Sequence, residues 1–238
     1  MSETEEDVVE GLETRDRVLD AAEKLFADQG FESVSLRQIT TQAKVNLAAV
    51  NYYFGSKEGL IFEVLARVVG PINERRLAML DEAEADAKGK PVEVERILEA
   101  IFLPVISLMN QSDHSGQVIL KLAGRCMGET SAEMPDKMRR IFHGIVNRFS
   151  SALALALPHL SEAEVFWRMH FTIGAMLYAL VQHETLVLLS GEKVAADDAE
   201  KALGELVAFT AGGLRAEKAS HEKANRMATE SVGKGEGK

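Results

Sequence analysis

Residues 35–57, with the sequence SLRQITTQAKVNLAAVNYYFGSK, contain the side chains best suited to contact DNA. Amide, hydroxyl and ammonium groups follow one another closely near the end of this segment, and such groups bind the phosphate oxygens of a DNA backbone. The candidates for phosphate contacts are Asn51, Tyr52, Tyr53 and Lys57. Arg37, further upstream, can reach either a guanine edge or a phosphate.

Two short helices must position these groups. Ser35 is predicted to cap the first helix and Asn46 the second, with a tight turn at Lys44-Val45 between them. This is the helix-turn-helix arrangement, in which the start of the second helix lies near the base edges in the major groove. The residues at that start are Asn46, Leu47, Ala48 and Ala49. They are small or slim, and Leu47 or Ala49 can contact a thymine methyl group.

The alternative is that the two helices are ordinary members of a helical bundle, because periodicity fits both interpretations. The three consecutive aromatic residues Tyr52, Tyr53 and Phe54 favour DNA binding. A helix cannot bury three successive side chains on one face. We expect Phe54 in the core and at least one tyrosine exposed, where its hydroxyl group can bind phosphate.

The segment resembles the signature of the TetR family of bacterial repressors, which runs from a helix cap through A-G-V to L-Y-x-H-F-x-S-K. The matching residues are Ser35, Ile39, Ala43, Val45, Tyr52, Phe54, Ser56 and Lys57, and the preceding AAEKLFADQGF resembles the first helix of that family. The resemblance implies a dimeric repressor whose C-terminal helices usually enclose a small-molecule pocket. It also implies phosphate contacts by Tyr53 and Lys57.

Two residues depart from the family pattern. Lys44 stands where the family usually has glycine, so either the turn needs no positive φ or Lys44 bears modest strain. Asn51 stands where the family usually has tyrosine, which puts that tyrosine contact in doubt.

The rest of the chain also has helical periodicity, so the predicted fold class is all-α. A first helix capped by Thr14 precedes the helix-turn-helix, and a long helix from about Ser56 to Ala87 follows it. The predicted later helices span about 92–110, 115–128, 133–157, 161–190 and 196–217. The predicted domains are an acidic disordered tail (1–13), a three-helix DNA-binding domain (14–60), a larger helical ligand-binding and dimerisation domain (61–218) and a flexible tail (219–238).

Composition limits the partners. The net charge is −10, and residues 14–60 carry six basic and six acidic side chains. DNA binding therefore depends on where a few basic side chains point and not on a general positive charge. The longest apolar run, 171–189, includes Glu184, which favours a buried helix over a membrane span. A single cysteine, Cys126, and a start without an apolar stretch predict a cytoplasmic protein. No cofactor, metal or membrane partner is expected.

Several large apolar side chains of the C-terminal body are suited to a ligand pocket, although ordinary core packing is the commoner role for each of them. These candidates are Phe102, Met109, Met127, Phe142, Phe149, Trp167, Phe171 and Met176. Arg125 is either exposed, paired with an acid, or the anchor for a ligand carboxylate or phosphate. His170 is a second polar candidate, with a satisfied buried histidine as the alternative. Residues 164–171 resemble a TetR-family branch that includes fatty-acid-responsive regulators, which suggests an acyl effector.

The helices at about 161–190 and 196–217 are the predicted dimer interface. The first is apolar around too much of its circumference for a surface helix, and Gly174, Ala175 and Ala179 permit close helix approach. A two-fold homodimer also suits an operator of double-stranded DNA with two half-sites.

Three classes of function remain. The favoured one is a dimeric repressor controlled by a small hydrophobic effector. The alternatives are a helical DNA-binding protein without an effector, which a sealed core would favour, and a helical enzyme. The sequence contains no metal-spaced His/Cys cluster, phosphate-binding glycine loop or nucleophile motif, so no catalytic residue is proposed.

Overall fold

The computed structural model describes residues 5–107, 114–128, 134–191, 193–194 and 199–218. The described residues form helices and no strands, which confirms the all-α prediction. The helices are α1 (Glu5–Gln29), α2 (Leu36–Ala43), α3 (Leu47–Phe54), α4 (Lys57–Ala87), α5 (Val94–Ile106), α6 (His114–Gly128), α7 (Met134–Ala156), α8 (Glu162–Val181), α9 (His183–Ser190) and α10 (Ala199–Arg215). None of them is long and apolar enough to cross a membrane.

Helix α1 begins at Glu5, well upstream of Thr14, so residues 5–13 are helical where the sequence predicted part of a disordered tail, and residues 1–4 lie outside the described residues. No proline interrupts this stretch, and its first residues are acidic, which stabilises a helix N-terminus. Thr14 lies within the helix and accepts a hydrogen bond from Arg17 at 3.1 Å. The predicted tail over residues 219–238 lies outside the described residues.

Helices α1, α2 and α3 pack together with the first half of α4 around one hydrophobic cluster. Phe26 and Phe31 lie at its centre, with ring centroids 5.4 Å apart. Val118 and Leu122 of α6 complete this cluster, so the N-terminal unit shares its core with a helix of the body.

The body is a second cluster built from the second half of α4 with α5, α7, α8 and α10. Helix α4 belongs to both clusters: Leu60 and Val64 lie in the first, and Leu80 lies in the second. Gly70 and Pro71 stand between the two halves. A proline in a helix interior removes one backbone hydrogen bond and favours a kink, so α4 is weakest at the boundary of the two units.

The apolar segment predicted as one helix over 161–190 forms two helices. Ser161 begins α8 with a capping box to Glu164, and α8 ends at Val181. Gln182 departs from helical geometry, with φ −113° and ψ 21°, before α9 begins. The polar sequence Gln182-His183-Glu184 therefore marks a break in the helix.

The turn between α2 and α3 resolves the question about Lys44. Its φ of 55° and ψ of 45° place it in the left-handed region, where a side chain with a Cβ atom is strained. Of the two possibilities left open by the sequence, Lys44 bears the modest strain.

Lys44→Gly should stabilise the protein by about 0.5–1 kcal/mol, because glycine adopts this backbone conformation without strain. Urea unfolding measures the difference. Lys24→Gly, in the exposed interior of α1, is the matched control and should destabilise by a similar amount. If Lys44→Gly destabilised the protein as much as the control, Lys44 would not be strained.

Candidate nucleic-acid interface and ligand cavity

Helices α2 and α3 are held by buried residues on one side only. Ile39 and Ala43 of α2 and Val50 and Phe54 of α3 are buried in the N-terminal cluster. Phe54 is the buried aromatic residue, as expected. The opposite side of the unit is open to solvent, so the fold presents the helix-turn-helix outward.

The predicted caps are confirmed. The Ser35 hydroxyl accepts a hydrogen bond from the amide of Gln38 at 3.3 Å, within a capping box. The Asn46 side-chain oxygen accepts from the amide of Ala49 at 2.9 Å. Both side chains bind backbone amides in the first turn of a helix, and they set where α2 and α3 begin.

The start of α3 is slim and accessible. Leu47 is 50% exposed, Ala48 and Asn51 are also exposed, and Ala49 is half-buried. No aromatic or charged side chain of α3 precedes Tyr52. This end of the helix can therefore approach base edges closely.

The tyrosine pair is arranged as the sequence requires. Tyr52 is 76% exposed, whereas Tyr53 is half-buried between Tyr52 and Phe54. The Tyr52 and Tyr53 rings meet edge-to-face with centroids 4.9 Å apart. Nearby, the Lys57 ammonium group donates a hydrogen bond to the carbonyl oxygen of Glu32 at 3.3 Å, in the loop before α2.

In the N-terminal unit, acidic side chains of α1 are paired with Arg67 of α4, whereas basic side chains of the helix-turn-helix are exposed. Arg67 of α4 binds Asp20 at 2.9 Å and Glu23 at 2.5 Å, both on α1. Arg37 and Lys44 of the helix-turn-helix are exposed and form no ion pair with any residue that the structure describes. Two of the six acidic residues in 14–60, Asp20 and Glu23, are thus neutralised by an arginine from outside this segment. Basic side chains of the helix-turn-helix therefore remain available next to the start of α3.

A cavity of about 350 Å³ lies inside the body. Five helices enclose it, and residues of both hydrophobic clusters line it. Representative lining residues are Ile72 of α4, Ile101 of α5, Leu122 of α6, Phe149 of α7 and Ile173 of α8. Its volume lies in the range of small-molecule sites.

One charged side chain, Arg76 of α4, is found among the described residues that line the cavity. Arg76 is only 7% exposed, and its Nε donates to the carbonyl oxygen of Ile101 at 2.8 Å. Desolvation by burial lowers the pKa of Arg76 to about 10, so the guanidinium still carries its charge at neutral pH. Arg76 was not among the pocket residues predicted from the sequence.

The predicted pocket residues divide into three groups. Phe142, Phe149 and Met176 line the cavity. Phe102 is fully buried in the body but does not line the cavity. Met109 and the side chain of Met127 lie outside the described residues.

The remaining candidates lie outside the cavity, which corrects their assignment. Trp167 and Phe171 are 63% and 62% exposed, and His170 is exposed beside them. These three sit on the outer side of α8, because the inner side carries Met169 and Met176. Trp167 and His170 line a shallow outer groove instead.

Arg125 also lies outside the cavity. Its Nη2 donates to the carbonyl oxygen of Asp28 at 3.0 Å, at the end of α1, and its side chain packs against Gly30. Lys121, one turn earlier on α6, binds the Asp28 carboxylate at 2.8 Å. Both residues join α6 to α1, whereas Leu122 and Cys126 of the same helix line the cavity.

The outer side of α8 and its neighbours is apolar and uncovered. Trp167, Phe171 and Tyr178 project from one face of α8, and the first two rings stack at a centroid distance of 5.6 Å. Phe209 of α10 is 73% exposed. Arg168 fixes α8 against the end of α10 by donating to the carbonyl oxygens of Leu214 at 2.7 Å and Ala216 at 2.6 Å.

A helix-turn-helix unit joined to a helical body with a cavity defines a class of one-component regulators, and the comparisons with known proteins identify the family. The model for bacterial regulatory proteins of the tetR family matches residues 18–64. The model for the tetracyclin repressor-like C-terminal domain matches residues 99–213. Together they cover more than half of the chain, which belongs to the TetR family. Members of this family are transcriptional regulators and not enzymes.

Individual relatives agree with this assignment. The HTH-type transcriptional repressor NicS of Pseudomonas putida is 41% identical over 76 residues, which are 30% of this chain and 36% of NicS, so the chain spans little more than a third of that relative. The regulator BetI of Rhizobium meliloti is 26% identical over 173 residues, covering 72% of this chain and 78% of BetI. The fatty acid degradation regulator FadR of Bacillus halodurans has a similar fold, with a TM-score of 0.60 at 17% identity over 86% of this chain and 97% of FadR.

Proposed function

We propose that the protein is a homodimeric transcriptional repressor that binds double-stranded operator DNA through α2 and α3, with an affinity controlled by a small hydrophobic effector in the body. The observation that carries this proposal is the cavity beside α4, the helix that also forms part of the DNA-binding unit. A ligand in that cavity touches a helix shared by both units.

The dimer forms through the outer side of α8 together with α10. Trp167, Phe171, Gly174 and Tyr178 recur at helical spacing on one face, and contiguous exposed apolar surface of this kind marks an interaction site. Phe209 extends the apolar surface onto α10. A two-fold dimer presents two copies of α3 to successive half-sites on one side of the DNA.

Helix α4 is the lever between effector and DNA. Its first half is clamped to α1 by Arg67, and its second half is clamped to α7 by Arg148, which binds Asp81 at 2.9 Å and also pairs with Glu84. Gly70-Pro71 lies between the clamps. A ligand that favours one bend of α4 favours one spacing of the two α3 helices, and only such a differential effect changes DNA affinity.

Helix α6 is a second connection, which the sequence did not indicate. Leu122 touches the cavity, whereas Lys121 and Arg125 bind the end of α1 at Asp28. A displacement of α6 by a ligand therefore changes contacts with the DNA-binding unit directly. Helices α4 and α6 both line the cavity and both bind α1, so each of them connects the ligand site to the DNA-binding unit.

The effector is an apolar compound of the acyl type. The lining of the cavity is almost wholly aliphatic and aromatic, and each buried methylene group contributes about 0.8 kcal/mol. The alternative of a DNA-binding protein without an effector is less favoured, because its body would need no cavity.

The test is a titration of free fatty acids and acyl-CoAs against the operator-bound protein, followed by fluorescence anisotropy of the DNA. An acyl compound is expected to change operator affinity by about fivefold or more, the usual scale of allosteric coupling. If no acyl compound changes the affinity but an unrelated aromatic or cationic compound does, the acyl assignment fails and the repressor assignment survives.

Lys57→Ala should weaken binding to all DNA sequences alike and reduce the salt dependence by about one phosphate contact per protomer. The loss of one ammonium group removes a phosphate contact without removing a base contact. Affinities for specific and random DNA across a series of salt concentrations provide the measurement. Lys90→Ala, in the exposed loop after α4, is the control. A changed base preference with an unchanged salt slope would contradict a phosphate role.

A further inference from the structure

We propose that the effector is a free apolar monocarboxylic acid whose carboxylate binds the guanidinium group of Arg76 inside the cavity. The proposal rests on the effector-controlled repressor described above and specifies the chemical class of its ligand. It replaces Arg125, which lies outside the cavity, as the anchor.

The hydrogen bonds of Arg76 leave part of its guanidinium group unused. Nε donates to Ile101 at 2.8 Å, Nη1 donates to the Asn73 side-chain oxygen at 3.2 Å, and Nη2 lies 3.9 Å from the Met176 sulfur. A guanidinium group has five N–H donors, and thioether sulfur is a weak acceptor. At least two N–H groups are therefore available to a ligand.

Among the residues that the structure describes, no carboxylate compensates the charge of Arg76. Its three partners are a carbonyl oxygen, an amide oxygen and a sulfur atom, and no ion pair joins it to any acid in the described part of the chain. The other clamping arginines of α4 and α7, Arg67 and Arg148, are each paired with two carboxylates. A buried charge without a counter-ion is costly, and a ligand carboxylate would offset that cost through a bidentate pair.

A purely structural role explains only part of this geometry. The bond from Nε to Ile101 joins α4 to α5. It does not require a charged side chain in the lining of an apolar cavity. An anionic ligand accounts for both features.

The cavity also limits the size of the ligand. The cavity volume of about 350 Å³ lies at the lower end of the range of small-molecule sites, which favours a short apolar acid such as decanoate. A coenzyme A thioester has no free carboxylate at the acyl end, so its acyl end cannot form a bidentate pair with Arg76. An Arg76 anchor therefore favours the free acid over the thioester.

Isothermal titration of the wild-type protein with decanoate and with 1-decanol separates the contribution of the carboxylate from that of the alkyl chain. The two compounds have the same alkyl chain, but only decanoate has a carboxylate. Decanoate should bind at least about tenfold more tightly, as expected for charge-assisted hydrogen bonds in a desolvated site. Equal binding of the two compounds, or no binding of decanoate, would overturn the proposal.

Arg76→Met should remove this preference, so that decanoate binds no more tightly than 1-decanol. The variant should fold, because replacing an uncompensated buried charge with an apolar side chain of similar volume is often neutral or stabilising. Arg75→Met is the matched control: Arg75 is exposed on the adjacent position of α4, and this variant should keep the wild-type preference. If Arg76→Met does not fold, the relative affinities of the wild-type protein for decanoate and 1-decanol test the carboxylate site.

Measuring operator affinity in the same titrations distinguishes the carboxylate site at Arg76 from effector control of DNA binding. If decanoate and 1-decanol release the operator equally well, the effector-controlled repressor stands and the role of Arg76 is wrong. If decanoate binds through Arg76 without changing operator affinity, the anion site stands and effector control fails.

Discussion

Gly174→Trp is expected to dissociate the dimer and to lower operator affinity by roughly a thousandfold or more, toward the level of non-specific binding. Gly174 lies on the exposed apolar face of α8, between Phe171 and Tyr178. A Cβ atom built on the exposed Gly174 meets no atom within 4 Å, so a side chain at this position starts in open space on the surface of one protomer. It would clash only with a partner packed against that face.

Sedimentation equilibrium at micromolar concentration measures the dissociation, and DNA anisotropy measures the loss of binding. Gly144→Trp is the matched control, because Gly144 is also helical and exposed with open space at its Cβ position, but lies on α7. This variant should remain dimeric and bind the operator. A wild-type protein that sediments as a monomer, or a dimeric Gly174→Trp protein, would contradict the proposed interface.

Ala48→Glu should lower operator affinity by about a hundredfold or more, which corresponds to roughly 2.7 kcal/mol, the scale of a lost base contact. The exposed Ala48 lies in the first turn of α3, where the slim side chains permit close approach to the bases. Glutamate adds bulk and a negative charge facing the phosphates. The same negative charge is favourable at a helix N-terminus, so the fold should not lose stability.

Operator anisotropy and thermal unfolding together separate these two effects. Ala78→Glu makes the same substitution at an exposed position in the body half of α4 and should leave operator affinity close to the wild-type value. Unchanged operator affinity in Ala48→Glu would show that the start of α3 does not enter the groove.

The DNA-binding unit could be predicted closely from sequence because its determinants are local. Ser35, Asn46 and Ser56 each cap a helix through a backbone amide three residues away, and that relation is visible in the sequence. The burial of Phe54 followed from the impossibility of burying three consecutive aromatic residues on a helix.

The cavity could be predicted only in part because its lining comes from five helices distant in sequence. Trp167 and Phe171 were assigned to it on size alone, but their face of α8 points outward. Periodicity could have identified Arg76, which lies four residues after the buried Ile72 and four before the buried Leu80. A charged residue within an apolar stripe indicates a site more specifically than large apolar residues do.

The orientation of Arg125 could not be deduced from its own helix. One side of α6 touches the cavity and another side touches α1, and both sides contain apolar residues. Only the packing of α6 against the end of α1 directs Arg125 toward the carbonyl oxygen of Asp28. The break of the long apolar segment at Gln182 had a local signal, since three polar residues interrupt the apolar run there.

Selection of bound sequences from a randomised pool of double-stranded DNA tests whether the protein recognises an operator as a dimer through α3. The full-length protein should enrich a two-fold symmetric site whose half-sites are centred about one helical turn, or a small multiple of it, apart. Ala48→Glu, selected in parallel, should enrich no such site. Enrichment of no sequence by the wild-type protein, or enrichment of the same site by Ala48→Glu, would contradict an operator-binding dimer that recognises DNA through α3.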